Sequence, residues 1–250
     1  MHIIKTVAIS SLAVLALSNH VQASGGKAHW GYEGHEGPAH WGELSHDYHM
    51  CKEGKQQSPI NITDTHKGKL DKIKFSYQAS AKNIVNNGHT IQVNMNKGSS
   101  ITVGGKTYHL LQFHFHSPSE HTINGKPADM VAHFVHQAKD GQLGVVGVLI
   151  NKGKANKVIG QLWKKLPTTS GDSNDLSSDI NVKKLLPKSK AYYNYSGSLT
   201  TPPCSEGVNW MVLKSPTQVS AAQVKVFTGI FSKSVRPVQA LHGRNVKASR

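Results

Sequence analysis

Histidines fall in this chain in a pattern that suits metal ligation. In Leu110-Leu111-Gln112-Phe113-His114-Phe115-His116, a strand period of two puts Gln112, His114 and His116 on one face and Leu111, Phe113 and Phe115 on the other. Val131-Ala132-His133-Phe134-Val135 offers a further histidine on an alternating strand, and the segment 117–126 is long enough for the two strands to lie side by side. Three imidazoles can then converge. Three histidines with a fourth position open to water are the donor set of a catalytic zinc site, whereas structural zinc is usually four-coordinate and rich in cysteine. Neutral imidazoles leave the ion its full charge, which draws the pKa of a bound water toward neutrality and makes hydroxide available at physiological pH. With 16 histidines in 250 residues, a single His-x-His pair carries little weight. On spacing alone, ordinary core or surface histidines remain the alternative.

The elements that must position these residues are mainly strands. Alternating or apolar runs at 73–77, 83–85, 89–94, 100–103, 106–116, 130–137, 144–150, 191–195 and 208–213 are separated by Gly, Asn, Pro and Lys. Helical spacing appears at Ile159, Leu162, Trp163 and Leu166. It appears again at Val224, Phe227 and Phe231, after the capping-box pair Ser220 and Gln223. The pattern predicts a mainly β (α+β) fold with short helices packed outside the sheet.

Composition narrows the function. Lys and Arg total 29 against 14 Asp and Glu, but only Arg236, Arg244 and Arg250 are arginines and the lysines are scattered. That pattern argues for a solvated basic surface and against a nucleic-acid partner. At the N-terminus, Lys5 precedes the apolar run 7–17, and Val21-Gln22-Ala23 suits cleavage after Ala23. The reading is a signal peptide at 1–23 and a single domain at 24–250, periplasmic or secreted, with no stable membrane insertion after cleavage. In an oxidising compartment the two cysteines, Cys51 and Cys204, are expected to form a disulfide.

The longer motifs carry a family resemblance. Gln112-Phe-His-Phe-His-Ser-Pro-Ser-Glu120-His121 followed by Ala132-His133-Phe-Val-His136 resembles the zinc-binding core of the alpha-class carbonic anhydrases. His29-Trp-Gly-Tyr32, Gly37-Pro-Ala-His-Trp41, Gln57-Ser-Pro-Ile-Asn61, Asn86-Asn-Gly-His89 and Ser196-Gly-Ser-Leu-Thr-Thr-Pro-Pro-Cys204 resemble that family in the same order and spacing. The resemblance implies the alpha-carbonic-anhydrase fold, a large twisted and mostly antiparallel central sheet with peripheral short helices. It implies one Zn2+ per chain on His114, His116 and His133, and reversible hydration of carbon dioxide to bicarbonate and a proton.

Further roles follow from the same resemblance. Val135, Val145, Leu199 and Trp210 would wall a carbon dioxide pocket, and Thr201 would contact bicarbonate. Thr200 would accept a hydrogen bond from the zinc-bound hydroxide and pass its own proton to Glu120. Gln112 and His121 would orient zinc ligands, and His89 would shuttle the proton to buffer. A homodimer is a further implication. Two departures stand out: Val235 precedes Arg236-Pro237 where an asparagine is common, and Val131 occupies the position, two residues before His133, where the family commonly has a glutamate accepting that ligand's second N–H. Either a backbone carbonyl, a water or another side chain takes over, or zinc is held more loosely. Two rival readings are a catalytically silent family member that binds a ligand, and a zinc-storage protein using His29, His35, His40, His46 and His49.

Overall fold

The computed structural model describes residues 28–176 and 180–249, so the expected signal segment at 1–23 lies outside the described residues. Twelve strands form one sheet. Its centre consists of β1 (Ala81–Asn86), β2 (Ile91–Met95), β3 (Lys106–His116), β4 (Met130–Ala138), β5 (Leu143–Lys152), β6 (Tyr192–Ser198) and β7 (Glu206–Val219). Their order across the sheet is β1-β2-β3-β4-β5-β7-β6. The β5/β7 pair is parallel and the other central pairs are antiparallel, which makes the sheet mixed but mostly antiparallel, in line with the sequence pattern.

Alternation along each strand divides the apolar residues between two faces. One face carries Phe113, Phe115, Phe134, Val146, Val148, Met211 and Leu213, and it is covered by α1 (Lys157–Trp163) and α2 (Ala221–Thr228). Asn156 caps α1 by accepting from the N–H groups of Val158 and Ile159, and α2 has the reciprocal Ser220/Gln223 capping box that its sequence announces. Their inward residues Ile159, Leu162, Val224 and Phe227 complete this core. The other face carries His114, His116 and His133 together with a second apolar cluster that includes Val131, Val135, Val145, Leu149, Tyr195 and Trp210. The large core thus stiffens the back of the strands whose front holds the histidines.

Three local differences from the sequence pattern have physical causes. The run expected to start a strand at 89 starts it at Ile91. Asn87 Oδ1 accepts from the N–H groups of both His89 and Thr90, and Gly88 sits at φ +85°, so Asn86 to Thr90 is a turn with His89 on it. β7 runs on past Leu213 through Pro216 because its register with β5 shifts between Val148 and Ile150, which absorbs the irregularity. The one-turn helices Trp41–Leu44 and Met50–Glu53 are too short to show a period. Among the described residues, no helix is long and apolar enough to cross a membrane.

Candidate metal centre

Pairing of β3 with β4 sets His133 directly opposite His114, with Val131 opposite His116. The three imidazoles meet edge to face or tilted, with centroids 5.0–5.4 Å apart. One ligand nitrogen from each lies within 4.8 Å of the others, and among the described residues this is the only such group of three or more His, Cys, Asp or Glu side chains. The second nitrogens of two rings are already engaged. His114 Nδ1 contacts Gln112 Oε1 at 2.9 Å, and His116 Nδ1 contacts the Ser234 carbonyl at 2.5 Å. Each contact turns Nε2 of its ring inward, and His116 Nε2 is buried without a hydrogen-bond partner. A buried lone pair with nothing to accept from is what a cation ligand requires, so the donor set fits zinc. Desolvation and the neighbouring His116 hold the His114 and His133 imidazoles well below the usual histidine range, hence neutral and able to ligate.

Glu120 lies under the triad and is almost fully buried. Its Oε2 is 3.5 Å from His116 Nε2 and 3.8 Å from His133 Nδ1, while its Oε1 accepts from the Arg236 N–H at 3.0 Å. Burial raises the carboxyl above the ordinary carboxylate range, only partly offset by the neighbouring His116 ring, the Arg236 N–H, the Thr200 hydroxyl and the Arg236 guanidinium. Arg236 is itself buried, and its guanidinium donates to Gln57 Oε1, the Ser58 carbonyl and the Cys51 carbonyl. Burial brings it down to about 10.

Thr200 is buried in the loop after β6, between half-buried Leu199 and Thr201. The Cys51–Cys204 disulfide is formed, with the Cα atoms 5.0 Å apart. Around it the loop is closed by Leu199 N–H to the Ser205 carbonyl and Cys204 N–H to the Thr201 carbonyl. Val135, Val145 and Trp210 occupy neighbouring cross-strand positions on β4, β5 and β7, and all three are buried in the cluster against which Leu199 packs.

His121 is buried on the same side, its ring 4.6 Å from that of Trp210 and its Nε2 2.6 Å from the Tyr195 hydroxyl. Burial pushes its imidazole down to about 3. His89 stands apart from the triad. It is half-exposed, stacked on Trp30 at 3.6 Å, and borders a cleft of about 800 Å³ shared with His29, Asp47, Pro202 and Pro203. Partial burial, and His29 after it, lower its pKa from the ordinary histidine value. The contacts made by Ser234, Arg236 and Tyr195 lie 74 to 118 residues away in sequence, and no local pattern signals them.

A three-imidazole cluster flanked by a buried carboxylate and a threonine loop, on one face of a large sheet, is the architecture of a mononuclear zinc hydrating or hydrolytic enzyme. Comparison with known proteins narrows that class to one family. The family model for eukaryotic-type carbonic anhydrase matches residues 36–250. A carbonic anhydrase of Neisseria gonorrhoeae is 46% identical over 244 residues, which span 97% of this chain and 96% of the relative. The alpha-carbonic anhydrase of Thermovibrio ammonificans, solved with the inhibitor sulfanilamide, superposes with a TM-score of 0.87 at 48% identity, over 89% of this chain and 100% of that one. The Photobacterium profundum alpha-carbonic anhydrase gives a TM-score of 0.84 at 40% identity, over 88% and 100%. The chain belongs to the alpha, or eukaryotic-type, carbonic anhydrase family.

Proposed function

We propose that this protein hydrates carbon dioxide reversibly to bicarbonate and a proton, on one zinc held by His114, His116 and His133. The observation that carries this reading is the convergence of the three ligand nitrogens within 4.8 Å, beside Glu120 and Thr200. Bound zinc supplies Lewis acidity that brings the pKa of water toward neutrality, an effect for which carbonic anhydrases are themselves the standard example.

The chain's own residues do the rest. Gln112 and the Ser234 carbonyl fix the rotation and tautomer of His114 and His116. The Arg236 N–H holds Glu120 Oε1, so the carboxylate is placed to accept the Thr200 hydroxyl proton. Thr200 is then left as an acceptor toward the site, which selects ligands that carry a proton. Val135, Val145, Leu199 and Trp210 give carbon dioxide an apolar wall, and Thr201 contacts bicarbonate. His89 takes the released proton to buffer, a task for a group titrating near neutrality. Its place between Trp30 and an open cleft supports that role.

The Cys51–Cys204 bridge supports work outside the cytoplasm, as a single domain at 24–250 in the periplasm or secreted after loss of 1–23. Association as a homodimer is the oligomeric state we propose, and sedimentation of a monomer at micromolar concentration would reject it.

Zinc content and oxygen-18 exchange between bicarbonate and water, measured on the same preparation, test the reading. The expected result is one zinc per chain with rapid exchange. One zinc without exchange would identify a silent binding protein, and several zincs per chain a storage protein.

A further inference from the structure

Besides His116 Nε2, two buried ring nitrogens at the metal centre have no hydrogen-bond partner: His133 Nε2 and His121 Nδ1. They belong to neighbouring rings. The centroids are 6.1 Å apart at 82°, and both rings rest on Trp210, at 4.9 Å for His133 and 4.6 Å for His121. Val131, on the same strand face two residues before His133, is fully buried in the cluster that also contains Tyr195 and Trp210, and it offers no polar atom.

The protonation of His133 follows from its orientation. Its Nδ1 lies 3.8 Å from the same Glu120 oxygen that is 3.5 Å from His116 Nε2, so Nδ1 is the nitrogen turned toward the other ligands. A neutral imidazole that ligates through Nδ1 carries its proton on Nε2. His133 Nε2–H is therefore a buried donor in need of an acceptor, and no carboxylate stands at 131 to supply one.

His121 can be that acceptor in only one tautomer. Its Nε2 is 2.6 Å from Tyr195 Oη, and Tyr195 Oη is 2.8 Å from Ser58 Oγ, which in turn accepts from the Ser198 N–H at 3.0 Å. If Tyr195 donates to Ser58, it is free to accept from His121 Nε2–H, and Nδ1 is left with a lone pair. In the opposite tautomer both rings would donate, so a water between them could only accept and its own two hydrogens would face the apolar Val131 and Trp210 side chains.

We propose that His121 is a positioning residue that replaces the missing carboxylate: its unprotonated Nδ1 accepts the Nε2–H of His133 through one bridging water, while its own Nε2–H is donated to Tyr195 Oη. Neither nitrogen has a direct hydrogen-bond partner, and the rings are neighbours at a centroid separation of 6.1 Å, so the link runs through a water rather than from ring to ring. The proposal rests on His133 being a zinc ligand. Zinc occupancy is therefore measured first and independently, so that a protein that binds no zinc refutes the functional reading while the tests below concern His121 alone.

The direct test is nitrogen-15 NMR of the imidazoles in the zinc-loaded holoenzyme. His121 should show a protonated Nε2 and an unprotonated Nδ1, and Val131→Glu should invert the pair because the new carboxylate accepts from both rings. A protonated Nδ1 in the unaltered protein overturns the proposal.

Zinc release into a chelator gives a second readout. His121→Phe should speed release by about tenfold or more, on the scale by which such partners support a ligand, and by less than about threefold when Val131→Glu is also present. Val131→Glu alone should change release by less than about tenfold, since an acceptor is already in place. Equal acceleration by His121→Phe in both backgrounds would show a packing role only and overturn the proposal, as would a much slower release from Val131→Glu alone.

Discussion

Reduction of the Cys51–Cys204 bridge should lower the melting temperature substantially while leaving the zinc ligands in place. The bridge closes a loop with a sequence separation of 153. In the chain-entropy model, freeing a loop of that length returns about 5 kcal/mol of entropy to the unfolded state at 25 °C, an upper bound because reduced chains keep some structure. In a chain of 250 residues each kcal/mol shifts the midpoint by about 2–4 °C, so the loss approaches about 10–20 °C. The bridge holds the Leu199 to Ser205 loop, whereas His114, His116 and His133 sit on β3 and β4 in the sheet interior. Carbon dioxide turnover should therefore fall on reduction before zinc is lost. Scanning calorimetry of the oxidised protein, the reduced protein and the Cys51→Ser/Cys204→Ser variant, with zinc content measured alongside, makes the comparison. A midpoint that moves by less than about 3 °C, or two thiols titrating freely in the oxidised protein, would refute the reasoning.

Replacing His114, His116 or His133 singly with alanine should abolish most activity and sharply weaken zinc binding, measured by chelator competition; full occupancy in all three variants would reject the ligand set. Thr200→Val and Glu120→Gln should act as a unit, so that the double variant loses little more kcat/KM than the worse single one, and strictly additive losses would show the pair uncoupled. His89→Ala should lower kcat in weak buffer with kcat/KM nearly intact, and added imidazole should restore it. Because burial and His29 lower the His89 pKa, its proton-accepting neutral form persists as pH falls through the ordinary 6.5, and the acid limb of kcat should lie below that value. An acid limb at or above it, or one that survives His89→Ala, would point to another route.

The sequence pattern revealed most where one local period controlled both burial and chemistry. Alternation over 106–116 and 130–137 was enough to place His114, His116 and His133 on one face, because the side chains opposite them, Phe113, Phe115 and Phe134, are large and apolar. The capping box at Ser220 marked α2 to the residue. The pattern puts His89 at the start of a strand, whereas the side-chain turn made by Asn87 competes with the extended backbone there and prevails. The polar supports were hidden for a different reason. Ser234 serves His116 through a main-chain carbonyl, which any residue type could provide, and the Arg236 N–H serves Glu120 in the same way. Tyr195 reaches His121 only after β6 is laid beside β7, a tertiary fact with no trace in either segment.

The decisive measurement is stopped-flow carbon dioxide hydration by the purified, oxidised protein as isolated, after complete zinc removal by a chelator, and after zinc is restored. The proposed function requires rapid hydration at the start, loss of activity in step with zinc, and recovery at one equivalent of zinc per chain. Hydration that survives complete demetallation, or a fully zinc-loaded protein that does not accelerate hydration, would contradict it.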